Sequence, residues 1–186
     1  MKVMMIGAHN DDCECNAGGT AALLAAKGCE VLFVNPACII HNQSLSDETI
    51  DAWRKMEINA ARLLGADKII MDDRKARIFD NSRETVEKLE KIILDFRPEM
   101  VFIHWPMDNH VEHRMVAKTA YKAISIACVH GAPIKEIYAF EAGYKYNKIH
   151  TGCVVYNNSI GMDEVRTGSC FYFVYCYRTH CMGKRE

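Results

Sequence analysis

Residues 2–14 read Lys-Val-Met-Met-Ile-Gly-Ala-His-Asn-Asp-Asp-Cys-Glu. Val3 to Ile6 is a short apolar run with no polar residue to mark a solvent face. A strand covered on both faces has this pattern, and such strands belong to parallel sheets. Gly7 and Ala8 end the run, and the next six residues carry a histidine and three carboxylates. A buried strand that opens directly into a polar cluster predicts a ligand site at the edge of an α/β sheet.

Outward from this stretch, strands and helices alternate. Ala17 to Lys27 is rich in alanine and leucine and stops at Gly28, which predicts a helix. Glu30 to Asn35 is a second strand, and residues 36–45 form a loop without periodicity. Asp47 to Leu64 has helical spacing of Ile50, Trp53, Ala60, Leu63 and Leu64, with Gly65 placed as a C-terminal stop. Lys68 to Met71 is a third strand. Asn81 with Glu84 predicts a capping box that opens a helix to Phe96, striped by Val86, Leu89, Ile92, Ile93 and Phe96. Arg97-Pro98 breaks it. Met100 to His104 is a fourth strand, Val111 to Ile126 a further helix and Glu136 to Phe140 a fifth strand.

The fold class is therefore α/β, a doubly wound, mainly parallel sheet with helices on both faces. Right-handed crossovers place strands one and four side by side, and ligands bind beyond their carboxyl ends, where the winding reverses. Residues 1–150 are expected to form this domain. Residues 151–186 are expected to be a divergent tail, a strand pair or an oligomer contact, with 170–177 a strand on propensity. Because His9 to Glu14 follows strand one and His104 to His113 follows strand four, both polar clusters fall on the same edge.

Composition narrows the function. The 186 residues are 49% hydrophobic and 25% charged with a formal net charge of -1, an ordinary globular balance. No basic stripe suggests a nucleic-acid partner. The longest apolar stretches, such as Val31 to Val34 and Phe171 to Tyr175, are too short to span a bilayer. The N-terminus shows no signal-peptide cleavage pattern, so a soluble cytoplasmic protein is expected. The nine cysteines include Cys13 and Cys15 as a CxC pair but no CxxC. Free thiols in a reducing compartment are the expectation, rather than a zinc ribbon.

A catalytic zinc takes three nitrogen or oxygen ligands and keeps a position open. His9 and Asp12 can supply two from one loop. His110 and His113, three apart at a helix start, can point the same way, one to metal and the other to substrate. Asp11 is left over as a carboxylate suited to general-base catalysis. Glu112, Asp108 and Glu14 are available to orient the histidines. Each cluster alone also fits a solvated turn, a helix cap or a surface histidine; two on one sheet edge favour a metal site.

Ala8-His9-Asn10-Asp11-Asp12-Cys13-Glu14 resembles the AHPDDxE motif of the LmbE/PIG-L family of N-acetylglucosamine-type deacetylases. Pro106-Met-Asp108-Asn-His110-Val-Glu112-His113 resembles that family's P-x-D-x-H-x-D-H, and Arg54 with Glu57 before Leu64-Gly65 resembles its R-x-x-E…LG segment. The resemblance implies a Rossmann-like fold and hydrolysis of an N-acetyl amide on an amino-sugar-like molecule. It implies His9, Asp12 and His113 as ligands of Zn2+, with Fe2+ or another divalent ion as substitutes. It also implies Asp11 as the general base on the metal-activated water, His110 as the oxyanion partner, and Glu112 as the group that polarises His110. Arg54 and His41 are candidate substrate contacts. The expected partners are an N-acetylated amino sugar or conjugate and a second copy of the chain in a homo-oligomer.

Three departures from the pattern bear on this. Asn10 stands where the family has proline, which predicts a looser loop. Residues 35–43, with Cys38 and His41, lack the family's threonine and glycines. The last 35 or so residues match no expected pocket wall. Alternatives therefore stay open: a metal- or carbohydrate-binding domain without turnover, or a two-metal hydrolase such as a phosphoesterase. A nucleotide-binding domain is disfavoured, since no G-x-G-x-x-G follows strand one.

Overall fold

The computed structural model describes residues 1–36, 45–71 and 81–142, together with the backbone of a strand at 174–177. His41 and Cys38, the loop after the second strand and most of the tail lie outside the described residues. Among the described residues ten elements follow one another: β1 (Lys2–Ile6), α1 (Asp12–Ala26), β2 (Glu30–Asn35), α2 (Asp47–Leu63), β3 (Ala66–Ile70), α3 (Arg83–Phe96), β4 (Met100–His104), α4 (Val111–Val129), β5 (Glu136–Phe140) and β6 (Val174–Tyr177). Their strands form one sheet in the order β3-β2-β1-β4-β5-β6. Pairs among β1 to β5 are parallel, whereas β6 runs antiparallel to β5. The strand order reverses between β1 and β4, as expected from the crossover rule.

Alternation within the strands divides the interior in two. Met4, Ile6, Leu32, Val34, Val101 and Ile103 point to one face, where α3 and α4 supply Val86, Leu89, Ile93, Val116, Ala120 and Ile124. Val3, Met5, Val31, Phe33, Met100 and Phe102 point to the other, where α1 supplies Ala17, Ala21 and Leu24 and α2 supplies Ala61. The period of two is the geometry of a pleated strand, and both faces being apolar explains why β1 shows no polar alternation. Gly65, with φ 76, turns the chain after α2, and a Cβ there would meet the Cβ of Ala25 at 2.7 Å. Only glycine fits that approach. Among the described residues no helix is long and apolar enough to cross a membrane.

Some element boundaries differ from expectation. The helix after β1 starts at Asp12, not Ala17, so the first polar cluster occupies its opening turn. The N-cap of α3 is Ser82, whose hydroxyl accepts from the Thr85 N–H at 3.3 Å, rather than Asn81. One residue separates the two candidates, and both side chains suit the position. Helix α4 continues three residues past Ile126, to Val129.

Candidate metal centre

β1 and β4 are neighbours, with Ile6 opposite Ile103, so the segments leaving their carboxyl ends emerge together. Gly7 makes this possible on the first strand: a Cβ there would meet Cys13 Sγ at 2.8 Å. Two overlapping sets of ligand-type atoms converge at this point, His9 with His110 and His113, and Asp12 with His104 and His113. Both sets share His113 and therefore outline a single centre.

Within it, His113 Nε2 lies 3.2 Å from His9 Nδ1. Asp12 Oδ2 lies 3.5 Å from His9 Nδ1, and Asp12 Oδ1 lies 3.5 Å from His113 Nε2. Ligand atoms around a tetrahedral zinc at about 2.1 Å stand about 3.4 Å apart. The donor set and its spacing thus fit a small divalent ion.

The opposite ring nitrogens also face carboxylates. His9 Nε2 lies 2.7 Å from Glu112 Oε2, and His113 Nδ1 lies 3.2 Å from Asp108 Oδ1. A carboxylate on one nitrogen fixes the tautomer and turns the other toward a metal. Asp108 is itself held, accepting from the His110 N–H at 2.8 Å. Glu112, expected to polarise His110, places its carboxylate on His9, and its charge acts on His110 as well. Its backbone N–H donates to His110 Nδ1 at 3.3 Å, leaving the proton of a neutral His110 on Nε2, free to be donated.

Electrostatics follow from this packing. Burial works against a charged His9, yet hydrogen bonds to Asp12 and Glu112 raise its pKa to about 9. Burial would raise Asp12, but the His104 and His9 side chains beside it, and the His9 N–H that donates to it at 2.7 Å, hold it well below the usual carboxylate range. His110 is lowered, first by burial and then by the neighbouring His113 and His9. Its ring centroid is 4.5 Å from that of His113 and 4.9 Å from that of His9. Asp11 is the exposed N-cap of α1, and its side chain makes no capping hydrogen bond.

Arg54 stands one turn before Glu57 on α2, and its charge acts on that carboxyl. Glu57 accepts from the Asn10 side chain. Glu14 likewise pairs with Lys68, at 2.7 Å, and not with a histidine. The looser loop expected from Asn10 is not what the structure holds: its side chain donates to Glu57 and its carbonyl accepts from Lys68.

One residue of the centre had no expected role. His104 closes β4 with 0% exposure; its Nε2 accepts from the Ala8 N–H at 2.8 Å and lies 3.0 Å from Asp12 Oδ2. Its ring stacks on His113 with centroids 4.2 Å apart. The signal was present: a histidine at the carboxyl end of a buried strand, at the point where the winding reverses.

Comparison with known proteins agrees with the fold and the motifs. The N,N'-diacetylchitobiose deacetylase of Pyrococcus horikoshii is 27% identical, with a TM-score of 0.61 over 74% of this chain and 59% of that one. GalB, the 4-carboxy-2-hydroxymuconate hydratase of Pseudomonas putida KT2440, is 24% identical, with a TM-score of 0.62 over 75% of this chain and 65% of that one. A deacetylase of teicoplanin biosynthesis is 20% identical, with a TM-score of 0.57 over 76% and 67%. The chain thus spans about three fifths of the chitobiose deacetylase's length. The pattern that defines the GlcNAc-PI de-N-acetylase (PIG-L) family matches residues 4–124. This chain belongs to the GlcNAc-PI de-N-acetylase (PIG-L) family.

Proposed function

We propose that the chain hydrolyses the N-acetyl amide of an amino sugar or amino-sugar conjugate at a single divalent metal, zinc by preference. The observation that carries this reading is the convergence of His9 Nδ1, His113 Nε2 and the Asp12 carboxylate at 3.2–3.5 Å. Family membership and the diacetylchitobiose deacetylase among its structural relatives supply the reaction type. The hydratase among the fold neighbours is a reminder that the fold alone would not.

In this reading His9, Asp12 and His113 hold the ion. When bound, zinc supplies Lewis acidity, polarising an amide carbonyl and making water a stronger acid. Asp11, exposed at the start of α1, takes the proton of the attacking water. His110, with its proton on Nε2, donates to the oxygen that gains charge as the carbonyl becomes tetrahedral. Glu112 and Asp108 keep the two ligand rings turned inward, and the products are a free amine and acetate.

The test is acetate release from N-acetylglucosamine and N,N'-diacetylchitobiose by the zinc-loaded chain. Asp11→Asn is expected to lower kcat by about 10²–10⁴-fold while zinc content stays at one per chain. An Asp11→Asn chain that turns over like the parent refutes the assignment of the base. A zinc-loaded parent that releases acetate from neither sugar favours a binding domain without turnover.

A further inference from the structure

The first loop rests on a buried cation that the proposed chemistry does not use. Lys68 lies within β3, and its side chain is 0% exposed. Its Nζ donates to Glu14 Oε1 at 2.7 Å and to the Asn10 carbonyl. Asn10 is tied a second time, through its side chain, to Glu57 on α2.

An ammonium group out of water is costly unless hydrogen-bonded acceptors surround it, and its removal strands the acceptors. A lysine in this position is therefore fixed by Glu14 and Asn10, and it fixes them in return. The Asn10 carbonyl belongs to the Asn10–Asp11 peptide bond, in the stretch of chain between His9 and Asp12. Proline at position 10 would restrict φ through its ring; asparagine leaves the backbone free. Here a charge-assisted hydrogen bond from a third strand supplies the restraint.

We propose that Lys68 is a positioning residue of the metal centre: by clamping the Asn10 carbonyl beside Glu14, it sets the peptide between His9 and Asp12 and thereby the ligand atoms this loop contributes. The proposal rests on reading His9 and Asp12 as ligands. It differs from a merely structural ion pair in what its loss disturbs. A structural pair would change thermal stability alone, whereas a clamp changes the geometry and affinity of the metal.

The experiment uses the full chain, with zinc Kd from competition with a chromophoric chelator, the visible absorption of the cobalt(II)-loaded protein, and the Tm of the metal-free protein. Lys68→Met alone would leave Glu14 as an unpaired buried charge. The informative variant is Lys68→Met with Glu14→Gln, which removes both charges. It should fold with a Tm close to the parent's, bind zinc about 10–100-fold more weakly and shift the cobalt bands. Lys68→Gln with Glu14→Gln, polar but uncharged at both positions, is the second variant, with the same loss expected should the first not fold. A folded variant with the parent's zinc Kd and cobalt spectrum overturns the proposal. A parent chain that binds no zinc overturns instead the metal reading beneath it.

Discussion

In the loop after β1, the groups that hold His9 and Asp12 come from all around the sheet. Asn35 at the end of β2 donates to the carbonyls of Gly7 and His9. Lys68 of β3 and Glu57 of α2 hold Asn10, and His104 of β4 meets Asp12. The loop after β4 is held mostly by its own residues. Asp108 accepts from the His110 N–H, the Asp108 N–H donates to the Trp105 carbonyl at 3.1 Å, and Arg114 donates to the carbonyls of Asp108 and Asn109 at 2.5 and 2.8 Å. Its outside ties run to β5, where the Trp105 N–H meets the Phe140 carbonyl at 2.8 Å, and to the Ala142 N–H just beyond. One half of the centre is thus assembled by tertiary contacts and the other largely by local ones. A locally built loop forms whenever its helix forms, whereas the first loop acquires its geometry only when four other elements are in place.

The largest effect should come from the residue where the halves meet. His113→Ala is expected to abolish stoichiometric zinc binding, read as metal content after gel filtration, and with it any amide hydrolysis. Retention of one zinc per chain would mean that the two loops do not share a metal. Next, Asp108→Asn removes the carboxylate beside His113 Nδ1, and zinc affinity should fall about 10–100-fold. Because the loop is locally held, the metal-free Tm should move little. By contrast, Asn35→Ala, at a residue 0% exposed, should weaken zinc about tenfold and also destabilise the metal-free protein by about 1–3 kcal/mol. If Asn35→Ala left the Tm unchanged while Asp108→Asn lowered it, the contrast between the loops would be inverted.

The last effect is one of pH. His9 in the metal-free protein has its pKa raised from 6.5 to about 9. Its pairing with Asp12 and Glu112 therefore contributes stability that is full below pH 6.5 and is lost as pH rises through about 9. Metal must displace that proton. Between these limits zinc affinity should increase with pH, by up to about tenfold per unit for one proton released, and level off above about pH 9. Calorimetry in buffers of different ionisation enthalpy measures the proton released. None released at pH 8 would remove His9 Nδ1 from the ligand set.

What could be read from the sequence divides along the same line. Hydrophobic periodicity is local, and it sufficed for the five parallel strands, for four helices and for the adjacency of β1 and β4. The motif residues that meet at the centre, His9, Asp12, His110 and His113, were legible because a metal site needs those residue types just beyond two adjacent strands. Asp108 was legible as a support because it lies five residues from the ring it steadies. Other partners were not. Lys68 sits in a short strand beside Asp67, 58 residues from the carbonyl it holds. His104 ends a run of buried hydrophobics, 96 residues from Ala8. Glu112 lies two residues from His110, but its carboxylate also reaches His9, 103 residues away.

The sequence by itself determined the order of elements, the edge on which a site would form and the residues with ligand chemistry. Spacing along one chain carries that information, through the periods of helix and strand and through the crossover rule. Only the tertiary structure decided which carboxylate faces which histidine, that Asn10 is clamped, and that β6 pairs antiparallel with β5. Hydrogen bonds act over about 3 Å and are blind to sequence separation, so their partners are set only once the sheet has brought distant residues together.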